Sequence, residues 1–134
     1  RKTFAAIRYL EEAVRRTTDL EAFALRYGFF YGPGTSIAKD GAVVELICNR
    51  RIPIVGDGAG IWSFIHIQDA ARATVAAVSS GAPGIYNVVD DEPAPVSTWL
   101  PLLADVLGAE PPRQMPVWLA KLLIGLVSIV AAMW

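Results

Sequence analysis

A chain of 134 residues with 54% hydrophobic and 19% charged side chains has the make-up of a folded domain rather than a disordered segment. Twelve basic residues against thirteen acidic ones leave a net charge of −1, which offers neither a nucleic-acid footprint nor a polybasic membrane patch. One cysteine, Cys48, excludes an internal disulfide, and with only His66 beside it no metal centre is expected. The opening Arg1-Lys2 is followed by no signal-type apolar run. The chain reads as a globular, cytoplasmic piece of something longer.

Residues 2–16 place Phe4, Ile7, Leu10, Ala13 and Val14 close to helical spacing, with Arg8, Glu11, Glu12, Arg15 and Arg16 elsewhere. That is an amphipathic helix, in which Glu11 and Glu12 precede Arg15 and Arg16 by four. After Thr17-Thr18-Asp19, the aromatic run Leu20 to Tyr31 predicts a buried strand entering a Gly32-Pro33-Gly34 loop. Asp40 or Thr35-Ser36 is expected to cap a second helix through Ala42, Val43, Leu46 and Ile47, with Cys48 small and buried on it. Ile52 to Gly60 predicts a short strand closing on a glycine-rich turn.

Trp62 to Ile67 predicts one strand with Trp62, Phe64 and His66 on a common face, His66 serving structure rather than base chemistry. Asp69 is expected to start a small-residue helix that Gly81 stops. Gly84 to Val89 is strand-like, and Asp90-Asp91-Glu92 a solvated turn. Pro95 and Ser97 introduce a helix through Trp99, Leu100, Leu103 and Val106, which Gly108 ends. Glu110 to Pro116 is linker-like. Residues 117–134 are apolar except Lys121 and Ser128, and read as a docking helix, with a membrane anchor as the alternative. Their uncharged core, residues 122–134, falls short of the roughly 20 positions that a span needs. Helices alternating with short strands give the α/β class with parallel pairing.

Three blocks carry a resemblance. Phe23 to Gly34, FALRYGFFYGPG, resembles the strand-to-loop passage of extended short-chain dehydrogenases, the NAD-dependent epimerase/dehydratase family. Ile54 to Gly58 and Phe64 to Asp69 are similar to that family's "GDG…RDFIHVDD", and Gly84 to Val88 to its "GxxYNV". In the family's order, they cover about residues 2–112. The resemblance implies the C-terminal part of a Rossmann-like NAD(P)-binding fold with a small substrate-side lobe. Residues 1–112 would be that portion and 113–134 an apolar C-terminal helix.

The family's phosphate-binding glycine fingerprint, which opens a helix, is not in this sequence. Gly56, Gly58 and Gly60 mimic it but lie between strands, so no dinucleotide is expected there. The cofactor, NAD or NADP, would belong to the intact parent, with none bound by this chain alone. The resemblance also implies a Tyr-x-x-x-Lys pair on the first helix. With Glu12 as the family's following glutamate, Phe4 and Arg8 take those places. Phe4 has no proton to give, and the plain expectation is a core Phe4 and a solvated Arg8.

Tyr27, Gly28, Phe29, Phe30 and Tyr31 would border the nicotinamide, and Trp62, Phe64 and His66 the substrate pocket. Where sugar-nucleotide members carry an Arg before "DF" and an Asn before "YGP", this chain has Trp62-Ser63 and Phe29. That implies a partly apolar or aromatic substrate, or a pocket that is simply packed. The function expected is part of an NAD(P)-dependent epimerase/dehydratase or oxidoreductase, whose partners are the missing N-terminal half and a small molecule. A homodimer through helix 2–16 follows from the resemblance. The alternatives are a non-catalytic nucleotide binder or the membrane-attached protein.

Overall fold

The computed structural model describes residues 2–123, and its chain divides into two units, 1–35 with 63–92 and 36–62 with 93–134. In the first unit, helix α1 (Lys2–Arg16) precedes strand β1 (Phe23–Tyr27). Strand β1 pairs in parallel with a later strand, Gly84–Val88, in the register Phe23↔Gly84 to Tyr27↔Val88. Strand period explains the layering. Phe23, Leu25 and Tyr27 turn toward the helix Ile67–Ser80: Phe23 lies beside Gly81, and Tyr27 hydrogen-bonds Thr74. Arg26 turns the other way, to Glu11 of α1. The result is a helix–sheet–helix sandwich.

The expected single strand over 20–31 is broken at Gly28, where the chain changes partner. Gly28 N–H bonds the Val88 carbonyl at 3.1 Å, and Phe29 N–H bonds the Ser63 carbonyl at 2.8 Å. From there β2 (Phe29–Tyr31) pairs in parallel with Phe64–His66. A Cβ on Gly28 would meet the Ser63 carbonyl oxygen at 2.7 Å, so a side chain there would push the two strands apart. Nor is the run buried. Phe29 is 47% exposed and Phe30 37%, and the only buried hydrophobic residues of this unit are Ile65 and Ala70 among those described.

The second unit holds the larger core: Ala38, Val44, Ile47, Ile54, Trp99, Leu100, Ala104 and Ala120. Its first helix, α2 (Ala42–Cys48), is capped by buried Gly41 in extended conformation, with no side-chain bond, instead of by Asp40 or Thr35-Ser36. Ser36 contributes through its carbonyl, which accepts from Val43 N–H at 3.0 Å. Cys48, expected to be buried, is exposed at the end of this short helix.

Strand β3 (Ile54–Val55) follows, then β4 (Ile61–Trp62), and in the first unit β5 (Phe64–His66) and α3 (Ile67–Ser80). The expected strand over 62–67 is thus two strands divided at Ser63. β4 pairs antiparallel with β7 (Ala94–Pro95), while β5 pairs with β2. Helix α3 starts two residues before Asp69, because the His66 side chain caps it: Nδ1 accepts from Gln68 N–H at 3.3 Å. β6 (Gly84–Val88) lies beside β1, and α4 (Val96–Val106) ends before Gly108, whose φ of +65° suits a helix stop.

The linker-like stretch contains β8 (Gln114–Met115), parallel to β3. A two-residue strand has no period to show in a sequence. Residues 117–123 are helical, and among the described residues no helix is long and apolar enough to cross a membrane. The rest of the expected apolar helix, 124–134, lies outside the described residues.

Candidate functional site

Parallel strands deliver their side chains to one end of a sheet, and ligands of open α/β folds sit at that C-terminal end. The register Phe29↔Phe64 and Tyr31↔His66 puts these four rings on one face of the β2–β5 pair, by the two-residue alternation of strands. Phe30 takes the opposite face, its ring 5.4 Å from that of Tyr27. Tyr27 itself is tied down: its hydroxyl reaches Thr74 and the Ala70 carbonyl. Tyr27 therefore shapes the strand end, and Phe29 and Tyr31 present the rings.

Tyr31 ends β2 with its ring edge-on to His66, centroids 5.2 Å apart and planes at 71°. Burial holds the phenol above its ordinary value of 10.0, and the neighbouring acids Asp90 and Asp69 push it further up. Asp90 is fixed from behind, since its backbone N–H bonds the Phe64 carbonyl at 2.7 Å. The acidic turn after β6 is thus partly built into the strand ends. Its role escaped the sequence reading, because nothing in a run of three acidic residues marks which one turns inward. Directly after Tyr31, Gly32 has φ +107°, and a Cβ there would lie 2.6 Å from His66 Nε2.

Trp62 does not join Phe64 and His66 on a strand face. It belongs to the second unit, where its ring sits 5.1 Å from that of Trp99. The glycine turn of that unit is occupied by packing. Gly58, at φ +66°, leaves 2.7 Å between a would-be Cβ and Ile54, and the turn opens onto β4 rather than a helix.

On α1, Phe4 is 74% exposed, which corrects the expectation of a core side chain. Arg8 is exposed in an open depression that it shares with Tyr9, Glu12 and Arg16. The glutamate that reaches the sheet is Glu11. Glu12, from which the Phe4–Arg8 frame was counted, pairs with Arg16 at 3.0 Å on the helix surface. Hydrogen bonding by Arg26 holds the Glu11 carboxyl below its ordinary 4.5, and Glu11 in turn raises the guanidinium. In the Phe4–Arg8 frame the helix offers no phenol beside a lysine.

Comparison with known proteins agrees with this architecture. The model of the NAD dependent epimerase/dehydratase family matches residues 3–88. A 3-diazoavenalumate denitrifying reductase from Streptomyces sp is 47% identical over 123 residues, covering 92% of this chain and 40% of the reductase. Among solved structures, UDP-glucose 4-epimerase from Thermus thermophilus, in complex with NAD, is 26% identical with a TM-score of 0.58, over 84% of this chain and 39% of its own. A dTDP-glucose 4,6-dehydratase from Streptomyces venezuelae, at 24% identity and a TM-score of 0.62 over 81% and 35%, shares the fold. The chain thus spans well under half the length of these relatives. Its α/β architecture is that of a Rossmann-like NAD-binding fold, and the chain belongs to the NAD dependent epimerase/dehydratase family.

Proposed function

We propose that this chain is the substrate-side part of an NAD(P)H-dependent reductase acting on a diazo-bearing organic acid. The observation that carries the reading is the 47% identity, over 92% of the chain, to a reductase whose name states that chemistry. The lost acid/base pair supports it. Reduction of a carbonyl needs a proton delivered to oxygen, which is the task of a Tyr-x-x-x-Lys helix. Reductive loss of nitrogen from a diazonium form does not. One hydride supplies both electrons and the hydrogen of the new C–H bond, the C–N bond breaks, and dinitrogen leaves. Phe4 and Arg8 are compatible with that economy.

A reduced nicotinamide dinucleotide would supply the hydride. Phe29 and Tyr31 are assigned to its nicotinamide half, with Tyr27, Gly28 and Phe30 shaping the strand ends beneath them. An exposed aromatic face suits a flat ring. Phe64 and His66 are assigned to the substrate side, where Phe29 favours an apolar or aromatic body over a sugar diphosphate. The glycine-rich turn that binds the pyrophosphate is assigned to a companion N-terminal portion.

Helix α1, with Phe4, Ile7 and Leu10 exposed along one stripe, is assigned to contact a second copy. Sedimentation of a Leu10→Glu variant tests that contact, and an unchanged dimer rejects it. The function is tested by grafting this chain in place of the matching segment of the Streptomyces reductase. The graft is expected to release nitrogen from 3-diazoavenalumate with NADH or NADPH. A graft that folds and binds dinucleotide but releases none overturns the reading.

A further inference from the structure

His66, the one histidine of the chain, ends β5 half-buried and is engaged on both edges of its ring. Nδ1 accepts from the Gln68 N–H at 3.3 Å and so caps α3, a helix of 14 residues. Because Nδ1 accepts, the proton of the neutral ring sits on Nε2. That edge lies against Gly32, where a Cβ would come within 2.6 Å of Nε2 and 2.9 Å of Cδ2. The ring also meets that of Tyr31 edge-on, with centroids 5.2 Å apart. One imidazole therefore joins the start of α3 to the end of β2 and the turn behind it.

The cap works in one charge state only. A protonated imidazole carries hydrogen on both nitrogens, so Nδ1–H and the Gln68 N–H would face each other as two donors. Its positive charge would also sit at the positive end of the helix. The elements packed around the ring supply the groups that such a cation meets. Asp69 lies in the first turn of α3, held by Arg72 at 2.9 Å, and Tyr31 faces the ring from β2. Asp90 follows β6, with its backbone N–H on the Phe64 carbonyl. The helix start repels a charged ring while the two carboxylates attract it. We propose that His66 is a proton-sensitive latch: neutral, it caps α3 and closes on Tyr31 and Gly32, and protonated, it leaves the cap, so that the first turn of α3 and the Gly32 turn loosen together. Imidazoles change charge between pH 5 and 8, which sets the interval to examine. The latch stands apart from the reductase reading, since it requires no ligand.

The test follows the graft by NMR from pH 8 to pH 5. One readout is the His66 Hε1 resonance, assigned by its proximity to the Tyr31 ring. The other is hydrogen exchange at the first amides of α3, expressed as protection relative to the free-peptide rate at each pH. Protection in the parent graft is expected to fall by about five-fold, the size of one lost cap, as the Hε1 resonance titrates. The Tyr31 ring resonances are expected to move with the same midpoint. His66→Asn, whose amide oxygen accepts at every pH in the interval, is expected to hold its protection throughout. An Hε1 resonance that titrates while protection stays constant overturns the proposal, and so does one that does not titrate between pH 5 and 8. An equal fall in His66→Asn assigns the loss to other acidic groups and overturns it as well. The parent graft alone supplies the first two outcomes, so a poorly folding variant does not spare the latch.

Discussion

Glu11 grips Arg26 with both carboxylate oxygens: Nε donates to Oε1 at 2.6 Å and Nη2 to Oε2 at 2.7 Å. This fork joins helix α1 to strand β1 and sets which face of the helix meets the sheet. Because the folded carboxyl is held below its ordinary 4.5, its contribution is present above that value and is lost as pH falls through the lower, folded one. In thermal melts of the graft, Glu11→Gln is expected to lower the melting temperature at neutral pH and to narrow its gap from the parent below about pH 4.5. Arg26→Lys keeps the charge but loses the fork and is expected to lie between. A constant offset from pH 3 to 7 would show that the pair contributes only through packing.

The two glycines with positive φ that flank Pro33 separate strain from crowding. Gly34 has φ +78° and open space around a would-be Cβ, whereas Gly32 combines φ +107° with a 2.6 Å approach to His66. Gly34→Ala is expected to cost about 1 kcal/mol, the left-handed penalty alone. Gly32→Ala should cost about 1–3 kcal/mol and disturb the Tyr31 site besides. Denaturant melts of the two variants check the order. Equal losses would mean that His66 yields freely.

The layering was legible in the sequence because periodicity reports burial: the 3.6-residue stripe of α1 and the alternation in β1 both follow from side-chain direction. The breaks were not. Gly28 looks like part of an aromatic run until Ser63 arrives from 35 residues away, and Ser63 divides β4 from β5 for the same long-range reason. Burial of the aromatics was overstated because the helical and strand patterns say which face is apolar, not whether anything covers it. Of the site, the aromatic loop was readable from its residues. Asp90 was not, since its inward turn depends on the bond between its backbone and Phe64.

Among the described residues, Leu100 is the largest fully buried side chain, at 0% exposure, on α4 beside Trp99. Truncation leaves a hole that the second unit closes only in part. Leu100→Ala is expected to destabilise by about 2–5 kcal/mol. Two residues on, Leu102 is 62% exposed, and Leu102→Ala is expected to stay within about 0.5 kcal/mol. Chemical denaturation followed by tryptophan fluorescence reads both, because Trp99 reports on the same core. Similar losses would place the core elsewhere on the helix.

His66 has two duties at one position: Nδ1 caps α3 through Gln68 N–H, and the opposite edge of the ring meets Gly32. Removing the cap frees a helix N-terminal N–H, so His66→Ala is expected to cost about 1 kcal/mol and to speed hydrogen exchange at the first amides of α3. His66→Asn keeps a capping oxygen and is expected to restore most of that protection, though not the edge contact with Tyr31. The second duty predicts a coupling. Since the ring is what a Cβ on Gly32 would strike, His66→Ala with Gly32→Ala is expected to cost less than the sum of the single changes. Strict additivity would place the cost of Gly32→Ala in the backbone alone and leave the His66 ring without part in shaping the turn.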